Sequence, residues 1–291
     1  MPLWSWANVV SLDAVAVGLL WQLLYTTQFC QRFPAVYELA IIGLSIWLVY
    51  TADRLFDAIR LDRTRPHTFR HRFHAAHQTQ LTTIWFVALA VDTLLIVRFA
   101  HESQLRWGCS AIAIVVAYVT GIHLIRNASS WFPKELQAGM LFAFGVSLPA
   151  WSEISANGFV ALLASVLMTG FLFTGNCFAI AHWEQDLDSS QGFDSWFTRH
   201  PAAGVWLPWA LIFQVTLAFA LAFVGVIAPL IAACLIFGNV LLFGLVVASR
   251  GKVRQSDRRS DSDVLVRMLV VLADVALVIP PVAFVAAGAM S

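Results

Sequence analysis

Charge is scarce in this chain. Of its 291 residues, 12% are Asp, Glu, Lys or Arg, where a soluble domain carries about 25%. The deficit runs the whole length, which excludes a soluble globular protein and leaves a polytopic membrane protein. Cysteine is also rare. Cys30, Cys109, Cys177 and Cys234 are scattered and mostly lie inside apolar stretches, so they are small core residues and not a disulfide frame or a zinc site. No basic segment precedes the first apolar run, which itself carries Asp13, so a cleavable signal is not expected. Low-complexity tracts and soluble domains are absent. The net charge of +1 says little about partners.

What the chain has is hydrophobicity: 59% apolar residues and a mean hydropathy of +0.76. A helix needs about 20 apolar residues to cross a bilayer. Nine stretches qualify, at about 9–28, 36–57, 80–99, 105–124, 135–151, 158–182, 203–224, 227–248 and 264–286. Pro280 and Pro281 are expected to kink or end the last of them. Of 18 Lys and Arg, 15 lie in or beside the connections 58–79, 125–134, 183–202 and 249–263, against Arg32, Arg98 and Arg106 on the other side. The positive-inside rule puts the first set in the cytoplasm. Residues 1–291 read as a single transmembrane domain with motif loops at about 53–79 and 176–202.

The few acidic residues are concentrated. Asp53-Arg54-Leu55-Phe56-Asp57 closes the second stretch. The run from Asn176 to Asp188, containing His182, Glu184, Gln185 and Asp186, closes the sixth. Carboxylates are costly in lipid and mark function. Four spans separate the two motifs, so both reach the same face and can meet in one cavity. Asp53 and Asp57, spaced i and i+4, share a helix face. Two carboxylates with open coordination suit Mg²⁺. Asn176, Glu184 and Asp188 follow at steps of eight and four along one stripe. Asp186 falls off it.

The loop after the first motif supplies phosphate donors: Arg60, Arg63, Arg65, Arg70 and Arg72. Arginine forks match phosphate oxygens, although basic loops also simply face lipid headgroups. Beside the aspartates, Arg65 and Arg70 are the candidates. The Lys252–Arg259 run reads as a solvated loop. His71, His74 and His77 splay around a helix and do not form one tridentate metal site. Asp13, Asp92 and Asp274 sit within or near spans one, three and nine, where Gln22, His123 or Arg267 are possible partners. His182 serves either as a cavity base or as a structural histidine.

These motifs resemble those of the UbiA superfamily of intramembrane prenyltransferases. The family carries Asn-x-x-x-Asp-x-x-x-Asp at the end of span two, then Arg-Pro. Here Ala52-Asp53-Arg54-x-Phe56-Asp57 and Arg65-Pro66 match, and the second acidic motif ends span six as in the family. Lys134-Glu135-Leu136-x-x-Gly139 looks like its fifth span. Val49 stands where the family has its leading Asn, and Asn176 and Glu184 where it usually has Asp. In part, Asn176 and Glu184 also resemble a metal motif of terpene cyclases. The resemblance implies an all-α fold of nine transmembrane helices around a central cavity. It implies a Mg²⁺-dependent prenyl transfer from a polyprenyl diphosphate to a small or lipid-like acceptor. Asp53, Asp57, Asn176, Glu184 and Asp188 would hold the metal, and Asp53, Asp57, Glu184 and Asp188 would be catalytic. Arg54, Arg65, Arg70 and Lys134 would bind the diphosphate. No nucleic-acid partner is implied. The alternatives are a terpene cyclase on the same site, a transporter relaying protons through Asp13, Asp92 and Asp274, and a lipid binder without turnover.

Overall fold

The computed structural model describes residues 6–62, 64–65, 67–124, 133–193, 195–250 and 259–288. Among them there are helices and no strand. Arg63, Pro66, most of the 125–134 connection, the run at 251–258 and the side chain of His123 lie outside that description. In order, the helices are α1 (Trp6–Val9), α2 (Leu12–Cys30), α3 (Val36–Arg60), α4 (Phe69–Ala76), α5 (Gln78–Phe99), α6 (Glu102–Leu124), α7 (Lys134–Val146), α8 (Leu148–Glu153), α9 (Phe159–Trp183), α10 (Gln185–Gln191), α11 (Trp196–Arg199), α12 (Leu207–Phe223), α13 (Pro229–Ser249) and α14 (Arg259–Gly288). In lipid a backbone must satisfy its own hydrogen bonds, which a helix does within one segment.

A helix covers each of the nine apolar stretches. Among the described residues, five segments are long and apolar enough to cross a bilayer: Val36–Arg60, Gln78–Phe99, Ala156–Trp183, Pro229–Ser249 and Val264–Ala286. The fifth stretch is not one helix. It breaks at Ser147 into α7 and α8, because Pro149 at the start of α8 has no N–H to continue the ladder. The Ser147 hydroxyl fills the gap. It donates to the Ala143 carbonyl at 2.9 Å and accepts from Trp151 Nε1 at 3.0 Å.

The prolines of the last helix do not end it: α14 runs through Pro280 and Pro281 to Gly288. Pro281 has no N–H for the carbonyl of Leu277, four residues earlier. That carbonyl instead accepts from the indole Nε1 of Trp21 on α2, at 3.0 Å. Trp21 is fully buried.

α9 is the central element, packed on α7, α12, α13 and α14. Small residues permit the close approach, as is usual between helices in lipid. A Cβ at Gly139 of α7 would lie 2.4 Å from the Thr174 backbone nitrogen on α9. Tyr25 of α2 is tied to Thr169 of α9 by a hydroxyl pair at 2.8 Å. By contrast α5 is peripheral. Its one buried residue is Asp92, which accepts from Ser45 Oγ of α3 at 2.8 Å.

The two ends of the bundle differ. At one end, Arg32 forks onto buried Glu38 with two bonds of 2.7 Å and also pairs with Glu153. At the other end α3, α4, α9 and α10 converge, and both acidic motifs lie there.

Candidate functional site

The first motif occupies the last two turns of α3, with Asp53 and Asp57 one turn apart on one face. The second straddles a break. α9 stops at Trp183, Glu184 caps it, and α10 carries Asp186 and Asp188 in its first turn. Carboxylates there are favoured by the helix dipole. Gly192, with φ of 72°, terminates α10 in a conformation that glycine adopts without strain.

The loop after α3 is fastened to α10. Arg65 bonds Asp62 at 3.0 Å and the Ser190 carbonyl at 3.0 Å. The Gln191 carboxamide accepts from the Asp62 N–H and donates to its carbonyl. Thr68 caps α4 by accepting from the His71 N–H. From that first turn Arg70 reaches Glu184 at 3.1 Å, with the two side chains 18% and 11% exposed.

Asp188 is half-buried. Burial and the neighbouring carboxylates of Glu184 and Asp57 raise its carboxyl well above the usual range, against the pull of Lys134 and Arg70. Lys134, first residue of α7, feels the charges of Asp188, Asp57, Glu135 and Asp53. Asp53, Asp57, Glu184 and Asp188 therefore share one end of the bundle with Arg70 and Lys134. Four carboxylates face two cations there, a surplus of oxygen donors that fits a hard divalent ion. Among the described residues, no three His, Cys, Asp or Glu side chains are grouped closely enough to hold a metal unaided. An ion here needs water or substrate oxygens to complete its shell.

Other expected site residues lie elsewhere. Asn176 sits eight residues up α9 from Glu184, about 12 Å along the axis. Its Nδ2 donates to Asp274 of α14 at 3.1 Å, and its buried Oδ1 has no hydrogen-bond partner among the described residues. Arg54 is buried and donates to the carbonyls of Asn8 and Val9, at 2.9 Å for Val9, so its guanidinium anchors α1. Arg65 is exposed at the rim. Among the intramembrane acids, Asp13 accepts from Asn8 at 2.7 Å, while Gln22 is buried with neither amide atom paired.

The histidines of α4 are structural in this arrangement. His74 and His77 donate from Nδ1 to the carbonyls of Arg70 and Phe73, each at 3.0 Å. Burial pushes the His74 imidazole down to about 4. Burial, then Arg70 and Arg54, pushes His71 down to about 3. At 3.9 Å from Asp57, a neutral His71 is a neighbour and not an ion-pair partner.

Sequence reading overlooked three groups: α1, Gln191 and Glu135. Buried Glu135 accepts from the Trp196 N–H at 3.1 Å and holds α11 against α7. The Lys-Glu pair opening α7 was the one available signal. The chain matches no protein-family model, no curated protein and no solved structure.

Proposed function

We propose that this chain is an intramembrane prenyltransferase that ionises a polyprenyl diphosphate and passes the prenyl group to a small or lipid-like acceptor. The observation that carries the reading is the meeting of both acidic motifs with Arg70 and Lys134 at one end of an apolar helical bundle. Charges beside lipid mark function, and guanidinium and ammonium groups next to carboxylates suit a phosphate held with a divalent ion.

Asp53, Asp57, Glu184 and Asp188 hold Mg²⁺ in this reading, and Asn176 belongs to the set only if it leaves Asp274. A Mg²⁺ held there would supply positive charge against the diphosphate leaving group. Arg70 and Lys134 hold the diphosphate oxygens, and Arg65 guards the rim. Aromatic faces along the bundle stabilise the allylic cation. The protein spans the membrane nine times in a UbiA-like arrangement, with the site on the cytoplasmic side of a bacterial inner membrane. A terpene cyclase would use the same residues without an acceptor.

The test is diphosphate release by protein purified in detergent, with geranyl, farnesyl or geranylgeranyl diphosphate and Mg²⁺. Release that falls at least about 100-fold in Asp53→Asn and Asp57→Asn, the scale of losing one charge-stabilising group, supports the reading. Hydrocarbon or terpene alcohol formed without acceptor selects the cyclase. Diphosphate binding without turnover indicates a missing acceptor. Unchanged release in both variants, or no binding of any diphosphate, overturns it.

A further inference from the structure

Beside the acidic site, α1, the N-terminus of α4 and α14 enclose a cleft of about 350 Å³, counting its open mouth. Its polar lining includes Arg70, Glu184 and Arg267; its apolar lining includes Val9, Phe69 and Val270. Arg267 played no part in the site above. It lies three residues inside the apolar segment Val264–Ala286, and it makes no ion pair among the described residues. A guanidinium at the edge of the hydrocarbon calls for an anion or an aqueous outlet. Arg70, across the cleft, spends one edge on Glu184. The lining thus carries two guanidiniums and one carboxylate, with Asp188, Asp57 and Asp13 acting on Arg70 from beyond it, so Arg267 is the cation left to an incoming anion. The first turn of α4, from its Thr68 cap, adds the positive end of a helix dipole.

The apolar lining is Val9, Phe69, Val270 and Val271; Phe69 and Val271 are partly open, while Val9 and Val270 are almost fully buried behind them. The α1 wall is held by Arg54 on the Asn8 and Val9 carbonyls, and by Trp6 packed edge-on to Phe69 and Phe73 at 6.1 and 5.6 Å. We infer that this cleft binds the phosphate end of an amphiphile between Arg267 and Arg70, with the first part of its chain against Val9, Phe69 and Val270. The inference needs the bundle to lie in a membrane. It does not rest on prenyl transfer, and it needs no metal.

The experiment is thermal melting of the full chain in detergent with EDTA present. The probes are dioleoyl phosphatidic acid in mixed micelles, farnesyl diphosphate, inorganic diphosphate, and dioleoyl phosphatidylcholine as control. Stabilisation by a phosphate amphiphile is expected, with apparent affinity weakened about tenfold in Arg267→Gln, the scale of one charge-assisted hydrogen bond. It should be largely retained in Arg267→Lys. Preference for phosphatidic acid assigns the cleft to a lipid headgroup, and preference for farnesyl diphosphate assigns it to an isoprenoid. Equal stabilisation by inorganic diphosphate removes the apolar wall from the proposal. No shift with any phosphate amphiphile, or wild-type affinity in Arg267→Gln, overturns it. If Arg267→Gln does not fold, Val271→Glu places a carboxylate in the cleft lining and should weaken binding as much. Binding here is read in EDTA, whereas prenyl transfer is read as Mg²⁺-dependent diphosphate release, so the failure of this inference and that of prenyl transfer are distinguishable.

Discussion

The carboxamide of Gln191 holds the backbone of Asp62 from both sides, accepting from its N–H and donating to its carbonyl, each at 3.1 Å. The loop that follows the first acidic motif is thereby fastened to the helix that carries the second. Gln191→Ala removes both bonds, at about 0.5–1.5 kcal/mol each. Local opening of the loop should rise about 5- to 30-fold for a loss of 1–2 kcal/mol. Limited trypsin digestion measures it at the arginines between Arg60 and Arg72. Cleavage there at the wild-type rate would remove the clamp from the description.

Arg70 and Glu184 should respond unequally to substitution. Losing one partner of a buried ion pair costs about 3 kcal/mol. Arg70→Met leaves Glu184 facing Asp188 without its direct partner, with Lys134 acting on Asp188 from α7. Glu184→Gln leaves Arg70 with Asp188 and Asp57 still nearby. The melting temperature in detergent should fall at least twice as far for Arg70→Met. Equal losses would show that Asp188 and Asp57 do not share the field of Arg70.

Trp21→Phe loses the indole N–H, which strands the Leu277 carbonyl at a cost of about 1–3 kcal/mol, and the smaller ring adds a cavity cost at this fully buried position. Pro281→Ala restores an N–H that can reach that carbonyl within α14. The double variant Trp21→Phe/Pro281→Ala should be more stable than Trp21→Phe alone. Simple additivity in this cycle would separate the two residues.

His74 predicts a pH dependence. Its pKa is depressed to about 4 in the folded protein, from about 6.5 when unfolded. The unfolded chain therefore binds the extra proton first. The contribution of His74 is present in full above 6.5 and declines as pH falls toward 4, by at most about 1.4 kcal/mol per pH unit. His71 acts in the same direction, and Asp188, with its carboxyl raised, acts in the opposite one. The difference between wild type and His74→Gln isolates the histidine. It should shrink from pH 7 to pH 4; a constant difference would mean that folding leaves the His74 pKa unshifted.

Sequence patterning made the helices legible, because about 20 apolar residues in lipid have little alternative to a helix. The acidic motifs were visible because carboxylates beside such stretches are costly. What escaped were pairings set by tertiary approach. Asn176 lies on the stripe of Glu184 and Asp188, but α14 brings Asp274 to it. Arg54 sits inside an acidic motif, but the carbonyls of α1 take its guanidinium, and a four-residue helix leaves no periodicity to read. Gln191 carries no charge and fits no motif. Pro281 signalled a break, and only the fold reveals the indole that repairs it.

The Trp21–Leu277 bond also bears on how the protein is made. Its partners are 256 residues apart, so α2 leaves the ribosome long before α14. Until α14 inserts, α2 presents an indole N–H with no acceptor. Until α2 packs against it, the proline-freed carbonyl of α14 has no donor. A chain halted short of Leu277 therefore differs chemically from a finished one, and a membrane protease or chaperone that senses unsatisfied polar groups has the means to tell them apart.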